Sequence, residues 1–274
     1  MKPINVYWTM NTFMGGEVLR QDPPVNISNN IVKEKITPYI IRQSESEFAR
    51  QKMRHNLDVA VDNGVDYHRC PAWKNATKNL YGIKSFVDFK VRANDDGKID
   101  HSHDQEFIQR FLRVRHWPSR LFDFTHGITF FAPEEKTLKM TQLPAYLEDN
   151  SISNNTITIP GEIDIAKYQR FLEFAFHLKN GIREIEFARK DIVFYIHFDT
   201  DRPIRFKRFM WTEEMQPIFS LIGQMKNHKR SDPWSTSLEF YYNIFSKYKF
   251  KERLMKEIKK NLCKEEDESG LVKE

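Results

Sequence analysis

His197 and Asp199 spell His-x-Asp at the end of an alternating apolar run. On a strand, residues two apart project from one face, so this imidazole and carboxylate would stand side by side. Two such ligands suit the facial triad of a non-haem iron site, which needs one more histidine and open positions for oxygen. His228 is the only histidine downstream. A second group comprises His101 and His103, two apart on an expected strand, with Glu106 soon after and His126 on a later strand. Imidazoles with a carboxylate would suit divalent iron, manganese or zinc. A third candidate is a run of charge: Lys247, Lys249, Lys251, Arg253, Lys256, Lys259, Lys260 and Lys264 face only Glu252 and Glu257 over the same stretch. A basic helix there, with Tyr241, Tyr242 and Tyr248 just ahead of it, would neutralise phosphates or bind a protein partner.

Each group also has a plain structural reading. His-x-Asp resembles the Fe(II)/2-oxoglutarate oxygenase motif. The jelly roll of that family sets several strands before the distal histidine, whereas one strand follows Asp199 here before helical spacing begins. A half-exposed strand end, with Asp199 opening a turn, accounts for the same residues. His101, His103 and His126 resemble the cupin arrangement, but Glu106 follows His103 too closely and Gly97 alone stands where that family has framing glycines. A hairpin end leading into a helix capped by Asp104 explains them equally well. For Lys249, Lys251, Arg253, Lys256, Lys259 and Lys260, the structural reading is an amphipathic helix that docks Phe250, Leu254, Ile258 and Leu262 and leaves its lysines in water. No phosphate loop, nucleophile elbow or zinc-finger spacing occurs, and an EF-hand aligned on Gly97 would need ligands from Arg92 and His103, which have no oxygen to offer.

Around these groups the spacing predicts an α+β fold: an antiparallel β-sandwich or jelly-roll-like core with C-terminal helices. Residues 1–43 read as an irregular arm containing a strand at Ile4–Met10. Residues 44–210 read as a mixed core. It begins with a helix from Ser44 to about Val61 and continues through a short helix opened by Pro71 and a strand over Leu80–Val91. A turn at Asn94–Gly97 leads into a hairpin, followed by a helix over Gln105–Val114 and strands over Leu121–Phe131 and Leu138–Leu143. Gly127 marks a bulge or a close backbone approach. Tyr168–Phe209 reads as a four-stranded meander, with Asn180-Gly181 as its clearest turn signal. Residues 211–274 read as helices, one of them capped by Asp232.

With 40% hydrophobic residues, 22 Phe and 10 Tyr, the 274-residue chain has ample surface to bury and no need of a disulfide or a metal to fold. Its two cysteines, Cys70 and Cys263, lie far apart and read as reduced thiols. The formal charge of +5 is modest, and the C-terminal run accounts for it. The opening residues turn polar at once and no spanning stretch follows, which predicts neither export nor membrane insertion.

Three segments together carry a family resemblance: Cys70-Pro71-Ala72-Trp73, then Arg120-Leu121-Phe122-Asp123-Phe124, then Ile159-Pro160-Gly161-Glu162-Ile163-Asp164-Ile165. Over about residues 65–210 the chain resembles an uncharacterised family of tailed-bacteriophage proteins. The resemblance implies an origin and assigns no residue a role. A fold rich in antiparallel strands with no coherent catalytic constellation favours a phage-type protein that acts by binding, a virion component or an accessory protein of the host cytoplasm with protein partners and no cofactor. The alternative is a cupin-like or oxygenase-like metalloenzyme, and a third reading is nucleic-acid binding through the C-terminal helix.

Overall fold

The computed structural model describes residues 1–10, 40–42, 71–76, 78–85, 88–94, 99–101, 111–116, 118, 120–146, 148–188, 191–220 and 237–263. Strand β1 (Ile4–Met10) is followed by β2 (Ile40–Arg42), helix α1 (Pro71–Ala76), β3 (Leu80–Lys84), β4 (Phe89–Ala93), β5 (Ile99–His101), β6 (Leu112–His116), β7 (Leu121–Phe131) and β8 (Lys139–Pro144). Then come α2 (Ser151–Asn155), β9 (Thr156–Thr158), β10 (Gly161–Asp164), β11 (Phe171–Leu178), β12 (Glu184–Phe187), β13 (Ile192–Phe198) and β14 (Ile204–Arg208). A 3-10 turn at Glu213–Met215 leads into helical residues 216–220, and α3 (Leu238–Lys247) and α4 (Phe250–Lys260) close the described chain. The protein is a β-rich α+β fold with C-terminal helices, and its sheets are open.

The six-stranded sheet runs β14-β1-β7-β11-β9, with β6 also paired to β7. Its axis is the 11-residue β7. Along one edge β1 pairs with residues 128–131 and β6 with residues 121–124, while β11 covers the other edge. The register of β11 against β7 shifts between Phe171 and Glu173, opposite Gly127, whose φ of 65° lies in the left-handed region. A bulge therefore lets one long strand serve two short partners. The five-stranded sheet is ordered β10-β8-β13-β3-β2, and a third sheet joins β12, β4 and β5.

Alternation sends one face of the large sheet toward the other two. Phe174 stacks on Phe194 at 5.3 Å, Phe130 meets Phe198 edge-on at 6.3 Å, and Phe206 meets Tyr81 at 4.8 Å. From the third sheet, Phe89 and Phe187 stack at 4.3 Å and both reach Phe124. Each buried phenyl contributes about 1.5–3 kcal/mol. The opposite face carries Tyr7, Phe131 and Phe171. These form a second core with Trp211, just after β14, and with Met215, Phe219, Phe245, Phe250, Leu254 and Ile258 from the C-terminal helical segments. The six-stranded sheet is thus a middle layer, with sheets on one side and helices on the other.

Several expectations need correction. The four strands of Tyr168–Phe209 form where the alternation places them, but they are no meander: β11 and β14 belong to the six-stranded sheet, β12 to the third and β13 to the five-stranded one. The chain does turn at Gly181, at φ 81°, yet it crosses to the opposite layer, where Phe187 of β12 faces Phe176 of β11 at 6.2 Å. Alternation fixes which face of a strand is buried. It does not fix whether the next strand lies beside it or across the core. The single strand expected over Leu80–Val91 is two strands, β3 and β4, in different sheets. Of the helix expected over Gln105–Val114, residues 105–110 lie outside the described residues, and Leu112–Val114 are strand, because Leu112 and Val114 pair with Phe124 and Phe122. Strand β1 lies between β14 and β7 with Val6 buried, so it belongs to the core and not to an arm. The expected helices from Ser44 and at the Asp232 cap lie outside the described residues; α3 is capped instead by Ser237, which accepts from the Phe240 N–H at 3.3 Å.

Candidate functional site

The His-x-Asp pair sits at the end of β13. His197 is half-buried, and Asp199 is exposed as its backbone N–H donates to the Lys139 carbonyl at 3.0 Å. The turn beyond is held from outside by Asn79. This buried side chain, on a left-handed residue at φ 53°, donates to the carbonyls of Thr200 at 2.7 Å and Arg202 at 3.0 Å. Lys78 adds an ion pair to Asp201 at 2.7 Å. Strand β14 then leaves for the other sheet, and His228 lies outside the described residues. His101 is on β5 of the third sheet and His126 on β7 of the six-stranded one, while His103 falls outside the described residues. Among the described residues no group of three or more His, Cys, Asp and Glu side chains comes together as a metal site.

The interior carboxylates have architectural partners. Asp164, on the resemblance segment, accepts from the backbone N–H groups of Leu138 at 2.9 Å and Ala166 at 3.1 Å, from the Thr137 hydroxyl at 2.8 Å and from Lys167 at 3.2 Å. Burial pushes its carboxyl upward, but these hydrogen bonds outweigh burial and hold it below the usual carboxylate range. Glu148 accepts from the buried Tyr195 hydroxyl at 2.5 Å, and Asp123 is paired with Arg115, which also reaches Glu173 at 3.4 Å. These groups tie loops and strands together.

The basic helix presents most of its cations to solvent. Its apolar stripe, Phe250, Leu254 and Ile258, recurs every fourth residue and is buried against the six-stranded sheet, with Met255 packed beside it. Leu262 departs from the expectation that it extends this stripe: it is 39% exposed and forms an antiparallel bridge to Phe209. Met210 N–H donates to the Asn261 carbonyl at 2.9 Å and Cys263 N–H to the Arg208 carbonyl at 3.0 Å, so the end of α4 is sewn to the strand edge. Lys249, Arg253, Lys256, Lys259 and Lys260 are exposed, and Lys251 is half-buried. Among the described residues only Lys260 of this set forms an ion pair, to Glu257 at 2.8 Å.

Two further features adjoin the helix. Glu134 accepts from Tyr7 at 2.7 Å and Asn5 at 2.9 Å. Burial would raise its carboxyl, but those bonds and the ammonium groups of Lys207 and Lys259 bring it below its usual range. Burial, with Glu134 as acceptor, pushes the Tyr7 hydroxyl well above the ordinary tyrosine range. Lys207 of β14 thereby joins the charge around α4, a neighbour that sequence spacing hides because about fifty residues separate them. At the corner between α3 and α4, Lys249 takes a left-handed conformation at φ 52°. Tyr248 just before it is 52% exposed, its ring stacked on the buried Phe250 at 5.7 Å and 23°, with the Lys247 ammonium 5.9 Å from the ring.

No helix among the described residues is long and apolar enough to cross a membrane. In comparisons with known proteins, no family model matches the chain and no curated protein is similar to it.

Proposed function

We propose that the protein acts by binding, as a virion component or accessory factor of tailed-bacteriophage type, and that its contact surface is the outward face of α4. The observation that carries this reading is the helix's anchorage: three buried side chains and the 261–263 bridge fix α4 to the sheet while its cations face solvent. A fixed basic face loses little conformational freedom when a partner arrives, which favours affinity. The resemblance over residues 65–210 supports the phage assignment. The body beneath is a β-sandwich-type scaffold in which the six- and five-stranded sheets face one another, and the engagement of Asp164, Glu148 and Asp123 in tying its loops and strands together fits a supporting role.

Sedimentation of infected-cell lysate and of purified virions tests the proposal. The native chain is expected to travel with virions or in a complex heavier than its own 32.8 kDa. Reversing Arg253, Lys256 and Lys259 to Glu is expected to return it to the free position. A native chain that sediments alone in both samples contradicts the reading.

A further inference from the structure

The corner between α3 and α4 combines two features that a merely solvated lysine helix does not require. Tyr248 is more than half exposed; its ring stacks on the core residue Phe250 at 5.7 Å and 23°, and the exposed Lys247 ammonium sits over the ring at 5.9 Å, where an incoming base would take its place. Lysines precede and follow it. From that corner Lys249, Arg253, Lys256 and Lys260 recur every third or fourth residue, so cations follow one another at about 5 Å intervals along the helix axis. Glu252 is the one carboxylate exposed among them. A backed, exposed aromatic beside a cationic track is what an unpaired base and its phosphates need: the ring offers a stacking surface, and the cations follow the backbone.

We infer that this corner binds single-stranded nucleic acid, with a base stacked on Tyr248 and phosphates along Lys249, Arg253, Lys256 and Lys260. The inference rests on the binding reading above and specifies its partner. An acidic peptide is the less favoured occupant, because its carboxylates would use the cations and leave the backed ring without a role. Duplex nucleic acid keeps its bases stacked internally and would likewise leave Tyr248 idle.

The test is fluorescence anisotropy of the full chain with labelled oligothymidylate and oligouridylate of about 20 nucleotides, long enough to span a typical single-strand site. Four neutralised phosphates on a single strand give a slope of about −3 in log affinity against log salt, or roughly a 50-fold loss between 50 and 200 mM. Tyr248→Ala is expected to weaken binding about 10-fold, and Tyr248→Phe to preserve it, since stacking requires the ring alone. Preference for one oligomer over the other distinguishes RNA from DNA, and either outcome supports the inference. Equal binding of a duplex with no effect of Tyr248→Ala, or displacement by polyglutamate at matched charge concentration, overturns it and leaves the α4 face as a general anion surface. In that event the sedimentation result stands. Loss of both removes the face altogether.

Discussion

Phe209 bridges antiparallel to Leu262, so the residue just past β14, the last strand of the six-stranded sheet, is paired with one that follows the last described helix. The bridge makes α4 part of the sheet's edge. Replacing Cys263 with Pro removes the N–H that donates to the Arg208 carbonyl and is expected to lower stability by about 1 kcal/mol, as read from a urea midpoint. The same variant is expected to raise amide exchange within α4 more than within β7.

Docking of α4 depends on its stripe and not on its charge. Leu254→Ala is expected to destabilise by about 2–5 kcal/mol, because it empties a site that is only 1% exposed between helix and sheet. Lys256→Ala, on the opposite side of the helix, is expected to leave the thermal midpoint nearly unchanged. Comparable losses from both substitutions would mean that the lysines hold the fold.

Gly127 allows β7 to bulge. An alanine there must adopt the same left-handed backbone, so Gly127→Ala is expected to cost about 1–2 kcal/mol in denaturant unfolding.

Acid sensitivity is expected from Asp164. Its folded value is depressed below the ordinary 3.8, so the stability it confers is complete above that pH and is lost as pH falls through the lower folded value. Asp164→Asn is expected to be less stable than the native chain at neutral pH and to show a flatter decline in acid. Parallel pH profiles for the two proteins would contradict this assignment.

The histidines are expected to be dispensable. Protein purified without a histidine tag should contain no stoichiometric iron, manganese or zinc by elemental analysis, and His197→Ala should leave oligonucleotide affinity unchanged. Stoichiometric metal lost on His103→Ala would instead support the cupin-like reading.

Strands of this protein are legible in its sequence because apolar residues, many of them phenylalanine, alternate so regularly: Ile4–Met10, Leu121–Phe131 and the four strands after Tyr168 form where alternation places them. Their partners are not legible. Phe174 and Phe187 read alike as inward residues, although one belongs to the middle layer and the other faces it from across the core. Gly127 was readable because a glycine within a strand signals a bulge or a close approach. Asn79 was not, since its role exists only once β3 lies against the Asp199–Pro203 turn. For the basic helix, spacing showed the buried stripe and the exposed lysines, whereas the addition of Lys207 and the backing of Tyr248 by Phe250 required the fold.

The central claim concerns where the charge stands and not how much there is. Two triple reversals to Glu change the net charge equally: Arg253, Lys256 and Lys259 on α4, against, on the sheet side, Lys90 of β4, Lys139 of β8 and Lys136 of the loop between β7 and β8, all six exposed. Retention of each on an immobilised single-stranded oligonucleotide is the direct measurement. The α4 variant is expected to elute at far lower salt while the sheet variant elutes near the native position. Equal shifts for the two would contradict a localised binding face.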